Sequence, residues 1–145
     1  MKNGFKALIV DDQPVVRSVV SQMLAALGCF DVVEEAADGR EAWDLLGKRP
    51  FDVVVSDVEM PRMNGLELLR RCMRSGLKDA AFLMITGNLT ESVLHDCLAS
   101  GARAVLGKPF SFTLFKETIE DILSSGANGA HQVVFREVRV AAAGA

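Results

Sequence analysis

The chain lacks a long hydrophobic run. Its longest, Ala80-Ala81-Phe82-Leu83-Met84-Ile85, has six residues, against the roughly 20 that a membrane-spanning helix needs. The first residues include Lys2 and Lys6 but no apolar signal segment, so no membrane association and a cytoplasmic location are expected. Basic charge is not in excess either. The 16 Lys and Arg residues face 19 Asp and Glu, giving a net charge of −3. A nucleic-acid partner would need a clustered basic face, and none is expected. The three cysteines, Cys29, Cys72 and Cys97, are odd in number and have no CxxC spacing. That excludes a disulfide framework and a zinc knuckle and leaves core or boundary thiols of a reducing compartment. His95 and His131 have no site pattern around them and read as surface residues.

What remains is ample for a core. Half of the 145 residues are apolar, which suits one ordinary folded domain. The chain is organised around Val53-Val54-Val55-Ser56-Asp57-Val58-Glu59-Met60-Pro61. A short β-branched run ends in an acid, and a proline stops any continuation. Such a run fits a strand buried on both faces that delivers a carboxylate to the rim of a sheet. Three other runs end in the same manner. Ala7-Leu8-Ile9-Val10 meets Asp11-Asp12, Phe82-Leu83-Met84-Ile85 meets Thr86, and Val105-Leu106-Gly107 meets Lys108-Pro109. Parallel strands would place these ends on one edge, where open α/β sheets hold their sites.

Between the runs lie helical patterns. Pro14 suits a first helical residue, and Val15, Val16, Val19, Val20, Met23, Leu24 and Leu27 form an expected apolar stripe closed by Gly28. A second strand, polar at Glu34 and Glu35, is expected at 32–36 on the sheet edge. Asp38 and Glu41 have capping-box spacing for a second helix, with Ala42, Leu45 and Leu46 inward. Leu66, Leu69 and Met73 mark a third helix, and Val93, Leu94, Cys97 and Leu98 a fourth, capped by Thr90. Ser111 caps a fifth, with Leu114, Phe115, Thr118, Ile119, Ile122 and Leu123 inward. Five βα units with short connections predict a parallel sheet covered on both faces. Residues 1–125 form the expected domain. Residues 126–145 are expected to be a Gly/Ala linker and a short tail, strand-like over 131–140.

The rim residues suggest chemistry. A carboxylate can attack phosphorus to give an acyl phosphate. Clustered carboxylates are a natural seat for Mg2+, with Mn2+ as a substitute, and the ion would offset the charge of an incoming phosphoryl group. Lys108 would hold a phosphoryl oxygen as a point charge, and Thr86 another through its hydroxyl.

Asp11-Asp12, Asp57 with Met60-Pro61 and Met63-Asn64-Gly65, Thr86, and Lys108-Pro109-Phe110 stand in the order and spacing of a response-regulator receiver domain. The chain resembles that family from about residue 6 to 125. The resemblance implies a flavodoxin-like (βα)5 doubly wound fold with strand order 2-1-3-4-5. It implies that Asp57 is the phosphoacceptor, Asp12 a direct metal ligand and Asp11 the orienter of a metal-bound water. Glu59 would offer its backbone carbonyl to the metal, and a cis peptide before Pro109 would aim Lys108. The implied protein is a stand-alone regulator, not a metabolic enzyme, that catalyses only its own phosphorylation and dephosphorylation. Its partners would be a sensor histidine kinase or phosphotransfer protein and a downstream protein on the face of the fourth helix, fifth strand and fifth helix. Three positions depart from or complicate the pattern. Val105 stands where many members carry an aromatic switch, and Glu59 and Asn88 flank the path of the attacking water. Two alternatives remain at this point. One is a phosphorylation-independent interaction module, the other a haloacid-dehalogenase-like phosphatase, although Glu59 stands where that enzyme would carry a second aspartate.

Overall fold

Strands form where apolar residues run together and helices where they recur at 3.6-residue spacing. The computed structural model describes residues 4–77 and 79–125, and the tail expected at 126–145 lies outside the described residues. The order is β1 (Phe5–Val10), α1 (Pro14–Leu27), β2 (Phe30–Ala36), α2 (Gly39–Lys48), β3 (Val53–Asp57), α3 (Gly65–Arg74), β4 (Ala81–Thr86), α4 (Glu91–Ala99), β5 (Ala104–Gly107) and α5 (Phe112–Ser125). The five strands pair in parallel in the order β2-β1-β3-β4-β5, the expected flavodoxin-like arrangement.

The two-residue period of each strand divides the core. Leu8, Val10, Val54, Phe82, Met84 and Val105 face α2, α3 and α4. Ala7, Ile9, Val53, Val55, Leu83, Ile85 and Leu106 face α1 and α5. Every residue of β3, β4 and β5 is buried, so these strands read as near-continuous apolar runs rather than alternating ones. Cys72 and Cys97 lie within the core, and burial pushes both thiols up to about 11. Among the described residues no helix is long and apolar enough to cross a membrane.

The caps expected at Asp38, Thr90 and Ser111 form, and Asn64 adds one for α3. Asp38, Asn64, Thr90 and Ser111 each accept the backbone N–H three residues on, at 2.9–3.1 Å, worth about 1 kcal/mol each. Glu41 reaches back to the N–H of Ala37, one residue before the cap. Gly28 closes α1 with φ of 76°, a left-handed conformation that glycine adopts without a Cβ penalty.

Three expectations need correction. β1 and β2 begin earlier than the apolar runs suggest, at Phe5 and Phe30, whose rings meet at 6.0 Å. Val15 is 73% exposed and Val19 45%. At about 100° per residue they lie well to one side of the α1 face centred on Val20 and Leu24. In α3 the buried side chains are Leu68, Leu69 and Cys72, while Leu66 and Met73 only flank them.

One glycine decides where β3 can deliver its last residue. A Cβ on Gly65 would collide with the carbonyl oxygen of Asp57, because the start of α3 passes directly over the end of β3. Gly65→Ala is therefore expected to cost about 2 kcal/mol or more. Gly47→Ala, on exposed α2 with no heavy atom near its Cβ position, should instead gain up to about 1 kcal/mol. Chemical denaturation of both variants checks the contrast.

Candidate functional site

The sheet changes winding direction between β1 and β3, and open α/β sheets hold their sites at such a point, above the carboxyl ends of the strands. Asp11 and Asp12 follow β1, Asp57 ends β3, Thr86 ends β4 and Lys108 follows β5. Strand register aligns them, with Val10 opposite Ser56, Asp57 opposite Ile85 and Thr86 opposite Gly107. All the expected site residues thus reach one edge. Carboxylate oxygens of Asp11, Asp12 and Asp57 all lie within 4.8 Å of one another, a donor set suited to a hard cation. Asp11 and Asp57 are buried and Asp12 is exposed.

Lys108 Nζ stands 3.6 Å from Asp11 Oδ2 and 3.6 Å from Asp57 Oδ1. It balances both without a short contact to either. Its own backbone is fixed: the Lys108 N–H donates to the Thr86 carbonyl at 2.8 Å, and the Lys108–Pro109 peptide is cis. Phe110 then stacks on the buried Phe115 ring at 5.8 Å, which ties the lysine loop to α5.

Asp57 is the most perturbed acid of the cleft. Its carboxyl is raised from 3.8 to about 6, first by burial, then by the Asp11 and Glu59 carboxylates; Lys108 and the Glu59 backbone N–H pull the other way. Asp57 Oδ1 is buried with no hydrogen-bond partner among the described residues. An orphaned carboxylate oxygen facing a half-buried ammonium fits a group still to be bound, metal or phosphoryl.

Several contributors carry no signal in the sequence pattern. Arg17, one turn into α1, donates to the Asp11 carbonyl at 2.8 Å and to Glu35 at 3.0 Å. The Asp11 N–H donates to Ala36 at 3.2 Å, and Asp11 Oδ1 accepts the Gln13 N–H at 2.9 Å. Asp11 is thereby clamped from three sides. Asp38 does more than cap α2, because it also binds Arg62 at 2.9 Å. Arg62 has φ of 64°, and the Gly39 N–H donates to the Met63 carbonyl at 3.0 Å. These contacts hold the β3–α3 loop, which carries Glu59, against α2. Thr86 is not free either: its hydroxyl donates to the Glu59 carboxylate at 3.1 and 3.2 Å.

Comparison with known proteins decides the class. The family model of the response regulator receiver domain matches residues 7–120. The chain belongs to that receiver family. It is 36% identical over 124 residues to a chemotaxis protein CheY homolog of Campylobacter jejuni, covering 84% of this chain and 95% of that protein. It is 35% identical over 123 residues to CheY-3 of Vibrio cholerae, covering 84% and 94%. Among solved structures, CheY4 of Vibrio cholerae superposes with a TM-score of 0.74 at 38% identity, covering 82% of this chain and 98% of that one. A CheX-CheY-BeF3-Mg complex from Borrelia burgdorferi gives 0.78 at 28% identity, covering 83% and 90%. Receivers are signalling domains rather than metabolic enzymes, which sets aside the phosphatase alternative. This receiver is a phosphoacceptor response regulator whose acidic pocket is Asp11, Asp12 and Asp57 with Lys108 beside it.

The raised carboxyl of Asp57 has a sign that can be tested. Between 3.8 and about 6 the folded protein holds a proton that the unfolded chain has released. Stability of the metal-free protein therefore falls as pH rises through that window and stays lower above it. Asp57→Asn removes the charge, so its melting temperature should exceed that of wild type at neutral pH. The margin should shrink as pH falls through the same window. Equal melting temperatures at neutral pH would contradict the assignment.

Proposed function

We propose that Asp57 is the phosphoacceptor, receiving a phosphoryl group from a sensor histidine kinase or a histidine phosphotransfer protein in the cytoplasm. The observation that carries this reading is the buried Asp57 Oδ1, unpaired yet 3.6 Å from Lys108, within a set of three carboxylates. A carboxylate oxygen of Asp57 attacks phosphorus, the P–N bond of the donor phosphohistidine breaks, and its electron pair stays on the imidazole nitrogen. Lys108 shifts its charge from the two carboxylates toward the phosphoryl oxygens as they arrive. Thr86 supplies a hydroxyl to a further oxygen. Asp12, Asp57 and the Glu59 backbone carbonyl are the proposed metal ligands, with Asp11 orienting a bound water. Mg2+, or Mn2+ in its place, would offset the anionic charge gathered there. The Borrelia relative, solved with beryllofluoride and magnesium, supports a magnesium-dependent phosphoryl site in this fold. Water attack on the same phosphorus returns the carboxylate and inorganic phosphate.

The output is proposed to be binding of a protein partner on the face of α4, β5 and α5. Val105, at the position of the family's aromatic switch, is completely buried in the cluster that holds Met84, Leu89 and Val93. It has no ring to trade between exposed and buried states. The change must therefore start at Thr86 and the segment leading to α4.

A small phosphodonor such as phosphoramidate should label wild-type protein only with Mg2+ or Mn2+ present, and only at Asp57. Intact mass with peptide mapping reads the result. Labelling of Asp57→Asn as strong as wild type would overturn the site assignment and favour a module that works without phosphorylation.

A further inference from the structure

The Thr86 hydroxyl carries one proton. Thr86 is fully buried, and its Oγ1 already accepts the Asn88 N–H at 2.9 Å. Its proton is directed at the Glu59 carboxylate, whose two oxygens lie 3.2 and 3.1 Å away. In the resting protein the sole donor of this side chain is committed to an anion that the chain itself provides. That anion follows Asp57 by two residues and is one of the charges that push the Asp57 carboxyl up.

We propose that Glu59 is an intramolecular stand-in for the phosphoryl group, competing with it for the hydroxyl of Thr86. The inference rests on the phosphoacceptor reading of Asp57. An anion on Asp57 and the Glu59 carboxylate cannot share one hydroxyl proton, and their like charges repel. Phosphorylation at Asp57 therefore exchanges one partner of Thr86 for another and expels the Glu59 side chain toward solvent, to which it is already exposed. Asn88 reports the exchange, because its N–H is bound to the same oxygen. Glu59 is thus a positioning residue that acts through Thr86, separately from any role of its backbone carbonyl toward a metal. It sets how readily the segment between β4 and α4 leaves its resting arrangement.

The test uses the full chain with Glu59→Ala and Glu59→Gln, both checked for unchanged folding by thermal melting. Beryllofluoride is titrated at fixed excess Mg2+ and followed by NMR at the Thr86 methyl and the Gly87 and Asn88 amides. Without beryllofluoride, Glu59→Ala should already move the Thr86 and Asn88 signals away from wild type. Its beryllofluoride affinity should rise about three- to tenfold, the range expected for loss of one hydrogen bond to an exposed carboxylate. Glu59→Gln keeps an acceptor and should lie between the two. Unshifted signals with wild-type affinity in Glu59→Ala would overturn the proposal. So would Gln and Ala behaving identically in both readouts, which would assign the effect to charge alone. Failure of the phosphoacceptor reading looks different: wild type and Asp57→Asn would then be equally silent to beryllofluoride, and both proposals would fall.

Discussion

A carboxylate desolvated beside other carboxylates is the constraint on which this structure depends. Asp57 ends a strand buried along its whole length, with its side chain only 8% exposed. Burial disfavours its charge, and Asp11 and Glu59 disfavour it further. An apolar residue there would make a more stable sheet. What keeps the arrangement tolerable is the Lys108 ammonium beside both carboxylates and the Gln13 N–H on that of Asp11, while Arg17 and Ala36 fix the Asp11 backbone. The sheet order follows the same need. Only with β1 and β3 adjacent do Asp11 and Asp57 come within one ion's reach.

Much of this was legible because strand ends are marked in one dimension. An apolar run that stops at Asp57, Thr86 or Lys108-Pro109 states both the direction of the strand and the chemistry at its tip. Parallel pairing then gathers those tips without further information. Helix faces were less legible. Val15 and Val19 fit a loose count of apolar positions, but the buried stripe of α1 is narrower than the apolar set, and both lie beyond its edge. In α3 the same looseness moved the expected face by one residue, from Leu68 and Cys72 toward Leu66 and Met73.

The least legible features were side-chain contacts between distant elements. Thr86 and Glu59 are 27 positions apart and Asp38 and Arg62 are 24 apart. Neither pair leaves a periodic trace. The family resemblance singles out Glu59 for its backbone carbonyl and its place beside the water path, not for a side chain that binds a hydroxyl. Arg17 stood within an apolar helix with nothing to mark it as the support of Asp11. Such contacts follow from the loops between β3 and α3 and between β1 and α1, whose paths the local sequence does not dictate. They also connect the charged cleft to the rest of the fold. Thr86 reaches Asn88 in the segment leading to α4, Lys108 reaches α5 through Phe110 and Phe115, and Arg17 reaches the β2 edge through Glu35.

Burial and its neighbours' charges strain Asp57, and the cation proposed for the acidic pocket would relieve it. A 13C NMR titration of the Asp57 carboxyl, with and without Mg2+, tests this most directly. A midpoint of about 6 is expected in the metal-free protein, with a marked fall when Mg2+ is present. A metal-free midpoint near the ordinary 3.8, or one that Mg2+ leaves unmoved, would contradict it.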